Sequence, residues 1–89
     1  MYAIITTTGP DRVGIIAGVA QAAAEHDLNI VDVSQTIMDD FFTMIMRAQL
    51  PAEGFDLAGL QDTMSSLGKD LGVEIRVQNE ALFTAMNEV

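Results

Sequence analysis

A junction between a strand and a helix lies at residues 6–16, which read TTTGPDRVGII. The threonines are β-branched and suit a strand, and Gly9 with Pro10 marks a tight turn. Asp11 is a candidate N-cap, and the apolar residues after it begin a helical stripe. Gly14 would then lie in the first helical turn, where a bare backbone leaves room for a ligand near the free N–H groups. Those groups and the helix dipole favour an anion such as a carboxylate.

Strands and helices alternate outward from this junction. We expect strands at 2–8, 29–38, 41–50 and 73–78, helices at 12–26 and 57–71, and a short C-terminal helix at about 80–88. This β-α-β-β-α-β order predicts a single α+β domain over residues 1–89. Its fold would be a ferredoxin-like sandwich, in which two helices cover one face of a four-stranded antiparallel sheet. The second strand should lie at an edge of the sheet, where it can pair with another copy.

A hairpin is expected between the second and third strands, with its turn at Asp39 and Asp40. Counting back from that turn places Asp32 opposite Arg47, on the face that the helices leave open. We therefore expect these two side chains to pair across the hairpin. The opposite face of the hairpin is apolar, as expected for a sheet that is covered on one side.

Composition limits the possible functions. The chain has 89 residues, of which 49% are hydrophobic, and this is enough for one domain with a core. Its net charge of −9 argues against nucleic acid and membranes as partners. The absence of cysteine excludes thiolate metal sites, and one histidine is a poor inventory for catalysis, so we expect no metal, no cofactor and no enzyme. No apolar run reaches membrane length and no basic segment precedes one, which predicts a cytoplasmic location.

Two short segments resemble the ACT domain family, a small ligand-binding regulatory module of this topology. They are residues 11–16, DRVGII, and residues 28–30, LNI. The resemblance covers essentially the whole chain, although the family often has a proline at the position of Val13. The chain is similar to small stand-alone ACT proteins of unassigned role. The resemblance implies that an amino acid binds between subunits, against the loop after the first strand and the start of the second.

The site residues that follow from this resemblance are Asp11, Arg12, Val13, Gly14 and Asn29. A free amino acid would place its carboxylate at the N–H groups of Val13 and Gly14, and its ammonium near Asp11 and Asn29. Each position also has a structural alternative. Asp11 can cap the helix, Gly14 can allow close packing, and Asn29 can simply start a strand. Arg12 can be solvated.

Three functions remain open at this point. The first is a regulatory module that binds a free amino acid or similar small metabolite at a subunit interface and signals through oligomerisation or a partner protein. The second is a structural oligomer or protein-interaction module without a ligand. The third is an acylphosphatase-like enzyme built on Arg12, which the missing glycine-rich cradle disfavours. A homo-oligomer, with a dimer as the first expectation, follows from the apolar side chains Val31, Val33 and Ile37 on the edge strand.

Overall fold

Four strands and two helices make up the part of the chain that the computed structural model describes, residues 1–51 and 55–81. The sheet is antiparallel, in the order β2-β3-β1-β4. The expected ferredoxin-like arrangement is therefore confirmed. The C-terminal helix expected at about 80–88 lies, beyond Ala81, outside the described residues. The bounds are β1 Tyr2–Pro10, α1 Ile15–Glu25, β2 Asn29–Met38, β3 Phe41–Gln49, α2 Leu57–Leu71 and β4 Glu74–Asn79.

The core lies between the two helices and one face of the sheet. Successive strand residues point to opposite faces, so buried and more exposed residues alternate along β3. Both helices contribute fully buried side chains to the same cluster, and each such side chain stabilises the fold by roughly 1.5–3 kcal/mol by leaving water. The largest of them are Ile5, Ile15, Val19, Phe42, Met44, Met46, Leu60 and Met64.

The hairpin has the expected register. Met38 is the partner of Phe41 and Asp32 is the partner of Arg47, which confirms the turn at residues 39–40. Asp39 has a φ of 54°, a left-handed conformation that aspartate tolerates better than most residues. β2 is an edge strand, as expected, and every residue from 31 to 38 is exposed.

The prediction that the Arg47 and Asp32 side chains pair is wrong, although the two residues are cross-strand partners. Arg47 instead binds Glu80, with its Nε 2.6 Å and its Nη2 3.2 Å from the two carboxylate oxygens. Its Cζ lies 3.7 Å from the ring centroid of Tyr2. The physical reason is the length of the arginine side chain, which extends across β1 to Glu80. Its planar guanidinium then donates two hydrogen bonds to that carboxylate. The Tyr2 ring adds a cation–π contact along the way.

The start of the first helix also differs from the expectation. α1 begins at Ile15 rather than residue 12, and its N-cap is Gly14, with no side-chain cap. Asp11 is therefore not the N-cap. Its N–H donates to the carbonyl oxygen of Asp40 at 2.7 Å, because β1 continues to Pro10 alongside the hairpin. The chain then turns back in a left-handed conformation at Gly14, with φ 93°.

Candidate functional site

A cavity of about 180 Å³ opens between the start of α1 and the edge strand β2. β1 and β2 both run antiparallel to β3, so the loop after β1 and the last residues of β2 meet at the same end of the sheet. The lining of the cavity includes Asp11, Arg12, Gly14, Ile16, Gln35 and Ile37.

The first turn of α1 forms one wall of this cavity. The first helical hydrogen bond of the turn runs from the N–H of Gly18 to the carbonyl oxygen of Gly14, at 2.9 Å. The N–H groups of Ile15, Ile16 and Ala17 precede it and have no carbonyl partner within the helix. No acidic side chain lies in this turn, and the N-cap glycine offers none. The positive end of the helix dipole is thus left without a carboxylate from its own helix.

Opposite charges flank this wall. Asp11 is an exposed residue of the cavity lining, and its N–H is held by the hairpin through the carbonyl oxygen of Asp40. Arg12 is exposed but not simply solvated, because its Nη1 donates to the carbonyl oxygen of Leu71 at 2.9 Å. This contact lies at the C-terminal end of α2, where a cation is favourable. A guanidinium has five N–H donors, so one bond leaves others for a ligand.

The remaining wall is mainly apolar and comes from residues that the sequence reasoning missed. Ile16 and Ile37 are 45% and 51% exposed, whereas Phe42 is buried at the base. Gln35 is the polar member of this wall. Its strand position alternates with Ser34 and so shares the apolar, helix-covered face of the hairpin. A polar residue between apolar ones on that face was the signal that could have identified it.

The five sequence-predicted site residues do not all converge in one chain. Asp11, Arg12 and Gly14 line the cavity together. Val13 is beside it in the loop but is 98% exposed and does not line it. Asn29 is the partner of Gln49 at the opposite end of the sheet. Gln35, the nearest cavity residue on β2, is six residues from Asn29, which is about 20 Å along the strand at roughly 3.3 Å per residue.

Two further features concern sites of other kinds. Across residues 1–51 and 55–81, the His, Asp and Glu side chains form no group of three that could hold a metal ion. Neither of the helices described in those ranges is long and apolar enough to cross a membrane.

Comparison with known proteins agrees with the fold. The family model for the ACT domain matches residues 1–78. A UPF0237 protein of Methanosarcina acetivorans is 52% identical over 86 residues, which are 97% of this chain and 94% of the relative. The structure of an ACT domain protein from Streptococcus pneumoniae has 42% identity over 93% of each chain and a TM-score of 0.82. A formyltetrahydrofolate deformylase from Pseudomonas putida aligns over 88% of this chain and 28% of its own, with 16% identity and a TM-score of 0.79, which shows the fold alone. This chain belongs to the ACT domain family.

Proposed function

We propose that this chain is a regulatory module that binds a free amino acid, or a similar small metabolite, in the cavity at the start of α1. ACT domains are regulatory, ligand-binding modules, which supports the general role. The observation that carries the specific role is the lining of the cavity. It combines uncapped helix N–H groups, opposite charges on Asp11 and Arg12, and an apolar wall. An α-amino acid presents the matching carboxylate, ammonium and side chain.

Each part of the ligand has a partner in this arrangement. The carboxylate would bind the N–H groups of the first turn of α1 and the free donors of Arg12. These N–H groups belong to residues 15–17, slightly later in the chain than the sequence suggested. The ammonium would pair with Asp11, and an apolar side chain would pack on Ile16 and Ile37.

The signal would pass to a second copy or to a partner protein through β2. Two residues of β2, Gln35 and Ile37, line the cavity and lie on the exposed edge of the sheet. A ligand that contacts them would change the edge that a neighbouring molecule meets. Regulation through oligomerisation or through a partner protein is therefore part of the proposal.

The test is a thermal-shift screen of the twenty amino acids, followed by calorimetric titration of each one that stabilises the protein. A ligand present at 100 times its Kd and bound only to the folded state stabilises it by about 2.7 kcal/mol. We expect Asp11→Asn to weaken binding about tenfold, because it removes the charge facing the ammonium, and tenfold corresponds to about 1.4 kcal/mol. Asp70→Asn, an exposed change on α2, is the matched control and should bind like wild type.

Two results would contradict this function. One is a melting temperature that none of the twenty amino acids raises. The other is equal affinity in wild type and Asp11→Asn, which would place the ligand elsewhere. Hydrolysis of an acyl phosphate by the purified protein, abolished by Arg12→Ala, would favour the enzyme alternative instead.

A further inference from the structure

A row of apolar side chains lies exposed at the hairpin end of the sheet. Pro10 and Met38 are both Cα partners of Phe41, one on each side of β3. The even-numbered residues of β3 are buried in the core, so the odd-numbered Phe41 points away from it. The row therefore lies on the face that the helices leave open. Phe41 is 54% exposed and Met38 is 71% exposed.

Val13 adds an apolar side chain at the same end of the molecule. It lies in the loop after β1 and is 98% exposed. This loop starts beside the hairpin turn, because the N–H of Asp11 donates to the carbonyl oxygen of Asp40 at 2.7 Å. Exposed apolar residues that are grouped and surrounded by polar ones mark interaction sites, whereas scattered ones need no explanation. We call Pro10, Val13, Met38 and Phe41 the hairpin-end surface.

Carboxylates surround the hairpin-end surface. Asp39 and Asp40 form the turn between its two strands, and Asp11 directly follows β1. All three residues are exposed. In the part of the chain that the structure describes, no ion pair uses any of these three carboxylates. Arg12, the cation of the same loop, donates to a carbonyl oxygen at the end of α2. An apolar surface next to three unpaired negative charges is the result.

These charges decide which class of molecule can cover the surface. A second copy docked on the same surface would bring the same three carboxylates against the first set, and like charges brought together repel. The anionic headgroups of a membrane would be repelled in the same way. A partner with lysine or arginine beside its apolar side chains would instead be attracted.

We propose that the hairpin-end surface binds a basic amphipathic helix of a partner protein. Neighbouring strands lie about 4.8 Å apart, so the outer residues of the row, Pro10 and Met38, are separated by roughly 10 Å. Residues i and i+7 of a helix are separated by a similar distance, about 10.5 Å. A helix lying across the strand ends would thus place successive apolar residues along the row. Its basic residues would face the three aspartates.

Chemical-shift mapping of the protein amides with a synthetic peptide tests this surface. The probe is a peptide of leucine and lysine in a helical heptad pattern, and its analogue has glutamate in place of every lysine. We expect the lysine peptide to shift the amide signals of Val13, Met38 and Phe41. The glutamate analogue should bind about tenfold more weakly. Raising the ionic strength from about 0.01 M to about 0.1 M should weaken binding of the lysine peptide, because salt screens exposed charges.

A first pair of variants tests the apolar row. Phe41→Thr removes the central apolar side chain, keeps a residue that suits a strand, and should weaken binding of the lysine peptide about tenfold. Ile45→Thr is the matched control, since Ile45 is 39% exposed on the same face of the same strand but lies outside the hairpin-end surface. It should bind the peptide like wild type.

A second pair of variants tests the charges. Replacing both Asp39 and Asp40 by asparagine should weaken binding of the lysine peptide about fivefold, because it neutralises two carboxylates beside the surface. Replacing both Asp62 and Asp70 by asparagine gives the same net charge from exposed positions on α2. This control should bind the peptide like wild type.

Three results would overturn the proposal. They are no binding of the lysine peptide, amide shifts centred away from the hairpin-end surface, and equal peptide affinity in Phe41→Thr and wild type. A sedimentation coefficient of the protein alone that Phe41→Thr lowers would also overturn it, because a second copy would then cover the surface. None of these measurements involves an amino acid ligand, so this proposal and the proposed function can fail separately.

Discussion

Gly14 determines how the loop after β1 enters α1. Its φ of 93° is left-handed, and adopting such a conformation would cost a residue with a Cβ roughly 1–2 kcal/mol. A Cβ built there meets no atom within 4 Å, so the cost is conformational and not steric. Leucine at this position would crowd the mouth of the cavity, but it would also strain the turn. Asp11→Asn, which leaves the backbone unchanged, is therefore the cleaner probe of the site.

Thr7 tests what a single buried hydroxyl without a hydrogen-bond partner costs the stability of the fold. Its side chain is fully buried, and its Oγ1 has no hydrogen-bond partner among the described residues. Thr7→Val keeps the shape and removes a hydroxyl that lost its water on folding, so we expect about 1 kcal/mol of added stability in urea unfolding. Thr6→Val, on the opposite face of β1 and partly exposed, is the control and should change stability less. A loss of stability in Thr7→Val would mean that the hydroxyl does find a partner.

Arg47 joins elements that are not neighbours in the sheet. It lies on β3, stacks on Tyr2 of β1 and binds Glu80, which follows β4. These contacts lie on the face that the helices leave open, and they link β3, β1 and the residue after β4 through side chains alone. Arg12 makes a second long-range contact, a hydrogen bond to the carbonyl oxygen of Leu71 at the end of α2. Arg12 therefore connects the segment after β1 to the end of α2, and Arg47 connects β3 to the residue after β4.

The Arg47–Glu80 contact predicts a pH dependence. The hydrogen bond from Arg47 holds the pKa of Glu80 below its ordinary value of 4.5. As the pH falls below 4.5, Glu80 is protonated in the unfolded chain before it is protonated in the folded one. The stability that ionised Glu80 contributes above pH 4.5 is therefore lost progressively until the pH reaches the lower, folded pKa. We expect the free energy of unfolding of Glu80→Gln to fall less steeply below pH 4.5 than that of wild type. Glu74→Gln, in the more exposed pair with Arg76, is the control; acid limbs of equal slope in Glu80→Gln and wild type would contradict the prediction.

At the scale of the whole molecule, net charge opposes the association that the edge strand favours. Each copy carries −9, and only one charged residue, Asp32, lies within β2. Association through β2 would therefore depend on main-chain hydrogen bonds and apolar contacts, with repulsion between the two copies as the opposing effect.

Salt should consequently strengthen the proposed association between copies. Raising the ionic strength from 0.01 M to 0.1 M shortens the Debye length from about 30 Å to about 10 Å and screens the repulsion. We expect the dissociation constant, measured by sedimentation, to fall over this range. Val33→Lys, which adds a charge to the exposed edge strand β2, should weaken association at each ionic strength and is the control for nonspecific association. A dimer that weakens with added salt would indicate that ion pairs hold it together.

Much of the fold could be predicted because it depends on short-range patterns. Alternating apolar residues identified the strands, three- and four-residue spacing identified α2, and the two-residue turn at Asp39 set the hairpin register. The cap of α2 is equally local, since the Asp56 side chain accepts from the N–H of Gly59, three residues away, at 2.9 Å. Each of these features requires only neighbours along the chain, or a count from a turn.

The site depends on contacts between distant parts of the chain, and there the sequence alone was insufficient. The sequence identified the loop at Asp11 and Gly14 as a candidate ligand-binding site. The start of α1, however, depends on how far β1 stays paired with the hairpin, which is up to the turn at Asp40. The partner of Arg47 was decided by which carboxylate a long side chain can reach across the sheet. The cavity wall at Gln35 exists only because β1 and β2 end together. Local pattern determined the elements of this protein, and the packing of remote elements, which no local pattern encodes, decided the geometry of its site.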